Sequence, residues 1–169
     1  MKLDIQGVIK ALDAVGRSLA ENKDYLTELD SAIGDADHGI NMNRGFQKVH
    51  DRLTAGSYAD LGAVLKDVGM TLMGSVGGAS GPLYGTMFMK MSSRLAGREE
   101  LDTPSLAEAV EEGLKGIVAL GRANLQDKTM VDSLTPAVEA LKRAASEGLP
   151  LEAALESAVE AARTGMEST

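Results

Sequence analysis

Three aspartates in one short, glycine-containing segment carry the strongest chemical signal of the sequence. Asp30, Asp35 and Asp37 lie close together in the chain, and Gly34 and Gly39 beside them allow the backbone to turn sharply. Converging carboxylates repel one another unless a cation neutralises them, and hard oxygen ligands suit Mg²⁺ or Ca²⁺. The spacing therefore predicts a divalent-cation site in this loop.

Aspartates also cluster in EF-hand calcium loops and at the starts of helices. Counted from Asp35, an EF-hand calcium loop would place its glycine at Ile40 and its bidentate glutamate at Phe46, so this loop is not an EF-hand. The acids could also cap a helix, with Asp35 or Asp37 as the N-cap of a helix that begins near Gly39. Metal binding and helix capping both stay open from the sequence.

A second segment, residues 69–86, contains too many glycines for a stable helix interior, which predicts a loop around residues 76–81. Free backbone N–H groups there, followed by Pro82 at a helix start, could cradle an anion. The alternative is close helix packing at small residues with an ordinary Gly-Pro turn. The G-x-G-x-x-G and Gly-Lys-Ser/Thr fingerprints are absent, which argues against a Rossmann or P-loop site. An acidic cluster together with an anion cradle suits a magnesium-bridged phosphate group.

Composition excludes several classes of function. The 169 residues include 17 basic and 25 acidic side chains, a net charge of −8, which argues against nucleic-acid binding. The absence of cysteine excludes disulfides, thiolate zinc sites, iron–sulfur clusters and cysteine nucleophiles. No apolar stretch is long enough to span a membrane, and the first residues do not resemble a signal peptide, so we expect a cytoplasmic protein without membrane partners.

Apolar residues recur at helical spacing in almost every segment, and strand-favouring residues are scarce. This pattern predicts an all-α, antiparallel up-and-down arrangement in a single domain over residues 1–169. Pro136 is expected to kink a helix that begins near Met130. The predicted helices cover residues 3–21, 23–31, 40–54, 58–75, 82–96, 105–120, 130–147 and 150–165.

Several motifs together resemble the ADP-binding L subunit of phosphotransferase-system dihydroxyacetone kinases. The related domain of fatty-acid kinases fits less well, because it has Asp-Gly-Asp-Thr-Gly at the aspartate motif. The matching motifs are Asp30 with Gly34-Asp35-Ala36-Asp37-His38-Gly39, Asn41-Met42-Asn43-Arg44-Gly45-Phe46, Ser75-Val76-Gly77-Gly78-Ala79-Ser80-Gly81-Pro82-Leu83 and Asp127-Lys128-Thr129-Met130.

The resemblance implies an eight-helix antiparallel barrel that holds ADP or ATP and two Mg²⁺ ions at one end. It implies no catalytic residue in this chain beyond the magnesium-nucleotide site. The implied metal ligands are Asp30, Asp35 and Asp37. The implied nucleotide contacts are His38, Gly39, Ile40, Asn41, Ala79 and Ser80 around the phosphates, with Gly121 and Met130 lining the pocket.

The resemblance also implies a phosphotransferase function. The nucleotide would stay bound as a coenzyme, a phosphohistidine of the M subunit would recharge ADP to ATP, and the phosphoryl group would pass to dihydroxyacetone held covalently on the K subunit. The alternative is a non-catalytic, Mg-nucleotide-dependent regulatory subunit that docks on a transcription regulator or partner kinase. Because the family continues beyond the position of Thr169, we expect its C-terminal lid and final helix to be absent here.

Overall fold

The computed structural model describes residues 2–169, in which α-helices dominate. A pair of two-residue strands, β1 (Leu3–Asp4) and β2 (Glu100–Leu101), joins the start of the chain to its middle in antiparallel register. The predicted all-α class is confirmed, whereas the strand pair was not predicted because two residues are too few to show an alternating pattern. The helices are α1 (Ile5–Glu21), α2 (Lys23–Ser31), α3 (His38–Ala55), α4 (Leu61–Ser75), α5 (Ser80–Leu95), α6 (Thr103–Gly121), α7 (Met130–Ser146) and α8 (Leu151–Glu167).

Side-chain caps fix several helix starts. The Asp102 carboxylate accepts the N–H of Ser105 at the start of α6, and the Ser105 hydroxyl in turn accepts the N–H of Asp102. Asp60 caps α4, which therefore begins three residues later than the predicted start at residue 58. Both arrangements satisfy N–H groups that a helix leaves without an internal partner.

The long helices form an antiparallel up-and-down barrel around one hydrophobic core. Going round it, α1 packs on α3, α3 on α4, and each later helix on the next as far as α8, while the short α2 packs on α3. Within residues 2–169, α1 and α8 are not among the pairs of helices that pack extensively. No helix in that range is long and apolar enough to cross a membrane. The largest fully buried side chains are Leu61, Leu72, Leu95, Ile117, Leu151, Val49, Val64 and Val68.

Helix α7 begins at Met130 and continues through Pro136, as the sequence predicts. Proline has no N–H, so the carbonyl of Asp132 one turn earlier loses its helical partner. Gly165 of α8 lies at this point, where a Cβ would collide with the Asp132 carbonyl and approach Pro136 Cγ at 2.5 Å. The missing side chain therefore lets α8 approach α7 closely.

Candidate functional site

One end of the barrel collects the segments that the sequence singles out. Because consecutive long helices run antiparallel, α3, α5 and α7 begin at the end where α4 and α6 finish. The aspartate loop (residues 32–37), the glycine-rich connection (residues 76–79) and the α6–α7 loop (residues 122–129) all lie there. We call this the site end.

The Asp30 carboxylate organises the aspartate loop. After α2 ends, the N–H of Gly34 donates to the Asp30 carbonyl at 2.6 Å. Oδ2 of Asp30 then accepts the N–H of Asp37 at 3.0 Å and that of His38 at 3.3 Å. A Cβ on Gly34 would collide with the Asp30 carboxylate, so a glycine is needed for this close turn. These contacts carry the chain from the end of α2 into the first residue of α3.

The loop brings the three predicted carboxylates together. One oxygen each of Asp30, Asp35 and Asp37 lies within 4.8 Å of the others, and within residues 2–169 this is the only group of three acidic or histidine side chains so arranged. Asp35 is exposed and the other two are half-buried. None of the three forms an ion pair with a basic side chain in the described part of the chain. Three uncompensated carboxylates suit a hard divalent cation, and their role as metal ligands stays a prediction.

Helix capping does not account for the carboxylates of Asp35 and Asp37. Asp37 does occupy the N-cap position of α3, yet its side chain accepts no hydrogen bond from the first turn. Asp35 lies two residues further back, outside the helix. Neither side chain makes the capping hydrogen bond, which leaves both carboxylates able to face another group.

Helices α3 and α5 begin side by side. His38 Nδ1 lies 3.2 Å from Ser80 Oγ, and each is the first residue of its helix. Both helices begin two residues earlier than predicted, α3 because the N–H of His38 is held by Asp30 and α5 because Pro82 is tolerated in a first turn. The N-cap of α5, Ala79, offers no side-chain acceptor. Two adjacent helix starts with free N–H groups create a positive region that favours an anion.

The three residues after His38 have different surroundings. Gly39 is buried, and a Cβ there would collide with the carbonyl oxygen of Lys23 in α2, so this glycine allows α2 and α3 to approach. Ile40 is 48% exposed on the first turn of α3. Asn41 is only 6% exposed, beside Gly77 of the glycine-rich connection. The packing role of Gly39 was not predicted from the sequence, because the contact depends on the fold.

Arg44 connects the two segments, and its contacts were not predicted from the sequence. Its Nη2 donates to Asn41 Oδ1 at 2.6 Å, and its Nε donates to the Ser75 carbonyl at 3.1 Å, at the end of α4. The only sequence signal was the spacing of three between Asn41 and Arg44, which places them on one face of α3.

The two remaining predicted contacts, Gly121 and Met130, flank the α6–α7 loop. Gly121 ends α6, and a Cβ on it would lie 3.3 Å from Leu83 Cδ2 in the first turn of α5. Met130 is the half-buried first residue of α7. Gly121 thus adjoins the start of α5, whereas Met130 is placed at the site end only by its position on α7.

A buried carboxylate shapes the α6–α7 loop. Asp132 is 4% exposed and accepts the N–H groups of Gln126 and Thr129. Those two N–H groups, that of Gln126 most of all, hold the pKa of the Asp132 carboxyl below its usual value. Arg122, Gln126 and Lys128 all adopt positive φ, which is uncommon for residues other than glycine. The loop is therefore a defined structure.

Comparison with known proteins places this arrangement in a family. Residues 32–169 match the DAK2 domain. The whole chain is 41% identical to the "PEP-dependent dihydroxyacetone kinase, ADP-binding subunit DhaL" of Escherichia coli K12, over 80% of that protein's length. A corresponding subunit of Listeria innocua is 44% identical over 83% of this chain and 71% of that protein.

A solved structure agrees with the sequence matches. The dihydroxyacetone kinase of C. freundii in its native form superposes with a TM-score of 0.78 and 25% identity, over 94% of this chain and 27% of that one. The resemblance to ADP-binding L subunits that the motifs indicated is confirmed by these similarities. The chain belongs to the DAK2 domain family.

Proposed function

We propose that this protein is the nucleotide-carrying subunit of a phosphotransferase-system dihydroxyacetone kinase. The observation that carries the proposal is the joint position of three uncompensated carboxylates and two adjoining helix starts at one end of the barrel. The names of the relatives in Escherichia coli and Listeria innocua, both ADP-binding subunits of such kinases, support the choice of nucleotide and reaction.

The donor set fits a magnesium-nucleotide group. Asp30, Asp35 and Asp37 would hold the metal, as two Mg²⁺ ions, because clustered carboxylates supply hard, negatively charged oxygen ligands. The chemistry that the bound nucleotide supplies is phosphoryl carriage, from a phosphohistidine of an M subunit to dihydroxyacetone on a K subunit.

The chain's own residues would bind and orient this group. The first-turn N–H groups of α3 and α5, including those of Gly39, Ile40 and Ser80, would donate to phosphate oxygens. The His38 ring and the Ser80 hydroxyl would hold the two helix starts together.

Other residues would complete the site without proton transfer. Asn41 and Ala79 would border the phosphates, and Gly121 and Met130 would border the rest of the nucleotide. Positioning and charge neutralisation account for most of phosphoryl-transfer catalysis. The family resemblance implies no general base in this chain. A cytoplasmic location, beside the other kinase subunits, is part of the proposal.

Metal dependence of ADP binding tests the site. Without a cation the carboxylates would repel the diphosphate, since like unit charges about 4 Å apart interact by roughly 4 kcal/mol at an effective dielectric near 20. Calorimetric titration of the chain with ADP should show binding in excess Mg²⁺ and none with a chelator. Equal ADP affinity under the two conditions would contradict the proposed site.

A reconstituted phosphotransfer assay tests the activity. The chain, with K and M subunits, the phosphoryl-donor proteins and phosphoenolpyruvate, should form dihydroxyacetone phosphate. Asp35→Asn should abolish this activity, whereas Asp24→Asn, which alters a highly exposed carboxylate on α2, should not. Tight Mg-ADP binding without any transfer would instead favour the non-catalytic regulatory subunit.

A further inference from the structure

Arg44 joins the two segments that form the proposed site. The Nε and Nη2 groups lie on one edge of the guanidinium, and this edge spans two acceptors: the Ser75 carbonyl at the end of α4 and Oδ1 of Asn41 on α3. Arg44 itself is exposed, whereas Asn41 is buried. A charged, exposed side chain therefore holds a buried amide.

The chemistry of arginine fixes the orientation of that amide. A guanidinium can only donate hydrogen bonds, so Asn41 must turn its oxygen towards Arg44 and its NH₂ group away. The whole amide lies against the glycine-rich connection, with Nδ2 2.8 Å and Oδ1 3.0 Å from the position that a Cβ on Gly77 would occupy. No acceptor within residues 2–169 takes a hydrogen bond from this NH₂ group. Arg44 thus fixes the direction of this donor beside the segment that could cradle an anion.

We propose that Arg44 is a positioning residue for nucleotide binding. It orients the Asn41 amide so that Nδ2 donates to a phosphate oxygen of the nucleotide, and it anchors the end of α4 from which the glycine-rich connection begins. This inference rests on the function proposed above. Arg44 thus raises the affinity for the nucleotide indirectly, through Asn41.

A purely structural role would give a different result. If Arg44 only ties α3 to α4, then Arg44→Ala lowers the melting temperature and leaves the ADP affinity of the folded protein unchanged. Arg52 provides a matched control, because it lies on the same helix and binds Asp67 of α4 at 2.9 Å. Arg52→Ala should therefore alter stability at most.

The first test is calorimetry with ADP at saturating Mg²⁺, well below the unfolding temperature of each variant. Arg44→Ala should weaken ADP binding by about tenfold, the loss expected for one well-placed donor to a charged group. Arg44→Lys should keep only part of the lost ADP affinity, because an ammonium group lacks the planar pair of N–H donors that spans both acceptors. If the unaltered chain binds ADP normally and Arg44→Ala binds it with the same affinity, the role of Arg44 is overturned. The proposed function is not affected by that result.

The second test asks whether Arg44 acts through Asn41. Arg44→Ala should have little further effect on ADP affinity in an Asn41→Ala background, whereas additive effects would contradict the proposal. Asn41→Asp keeps an acceptor for Arg44 but removes the NH₂ donor, so it should lose ADP affinity without losing stability. Retained affinity in Asn41→Asp would overturn the inference even if Arg44→Ala fails to fold. Failure of the unaltered chain to bind ADP with Mg²⁺ would overturn the proposed function first and this inference with it.

Discussion

His38 Nδ1 and Ser80 Oγ lie 3.2 Å apart, although 42 positions separate the two residues in the chain. Each begins a helix, so the contact sets the free N–H groups of α3 and α5 side by side. The aspartate loop leads directly into His38, and the glycine-rich connection leads directly into Ser80. One pair of side chains therefore brings the aspartate loop against the glycine-rich connection, the arrangement that a magnesium-bridged phosphate would require.

Removal of the Ser80 hydroxyl should weaken nucleotide binding. Ser80→Ala deletes the link to His38 and a hydroxyl near the proposed phosphates, so ADP affinity at saturating Mg²⁺ should fall by roughly fivefold. Ser93→Ala is the matched control, since its hydroxyl is exposed on α5 and donates only to the Met89 carbonyl. Calorimetry on both variants checks this. Equal losses of ADP affinity in the two would point to a general effect on α5.

Asp30 and Asp35 should differ in their effect on stability, because Asp30 also forms the loop whereas Asp35 would serve only the metal. Asp30→Ala removes the acceptor for the N–H groups of Asp37 and His38 and should cost about 1–2 kcal/mol of unfolding free energy. Asp35→Asn removes an exposed charge and should leave the metal-free protein as stable as before. Both variants should lose the rise in melting temperature that Mg-ADP produces. Denaturant unfolding and thermal melts, with and without Mg-ADP, measure these effects. An unfolded Asp35→Asn would show that Asp35 stabilises the loop and does not serve only the metal.

The residue types that meet at the candidate site could be predicted from sequence better than their geometry. Clustered carboxylates and surplus glycines are visible as composition, so Asp30, Asp35, Asp37 and the glycine-rich segment could be identified directly. The role of Arg44 could not, because one of its acceptors is the Ser75 carbonyl, 31 positions away. The start of α3 was misplaced by two residues for the same reason, since the cap comes from Asp30 outside the local pattern.

Glycines of the glycine-rich segment should respond differently to alanine. Gly78 has φ of +63° with open space around a Cβ, so Gly78→Ala should cost about 1 kcal/mol through backbone strain and should weaken ADP binding. Gly81→Ala should cost more, because its Cβ would collide with the Val76 carbonyl. Gly74 lies in α4 with nothing near a Cβ, so Gly74→Ala should stabilise the protein by about 0.5–1 kcal/mol. Denaturant titrations measure the three changes, and a Gly78→Ala variant with unchanged ADP affinity would contradict the cradle.

Asp132 should stabilise the folded protein at neutral pH and lose this effect in acid. Its folded-state pKa is lowered below the ordinary value of 3.8, chiefly by the N–H groups of Gln126 and Thr129. A lowered folded-state pKa stabilises the native protein above the ordinary pKa, and this contribution is lost as the pH falls through the folded-state pKa. Asp132→Asn replaces one acceptor oxygen with an NH₂ group that faces a backbone donor, so the variant should melt several degrees lower at neutral pH.

The difference in melting temperature between wild type and Asp132→Asn reports on the Asp132 carboxylate alone. The pKa values of Asp60 and Asp102 are also lowered by hydrogen bonds, so acid destabilises both proteins through those groups alike. The gap between the melting temperatures of wild type and Asp132→Asn should therefore be largest at neutral pH and should narrow as the pH falls below the ordinary aspartate pKa. Thermal melts across an acidic pH series measure it. A gap that stays constant with pH would show that Asp132 stabilises the loop by packing and not by its charge.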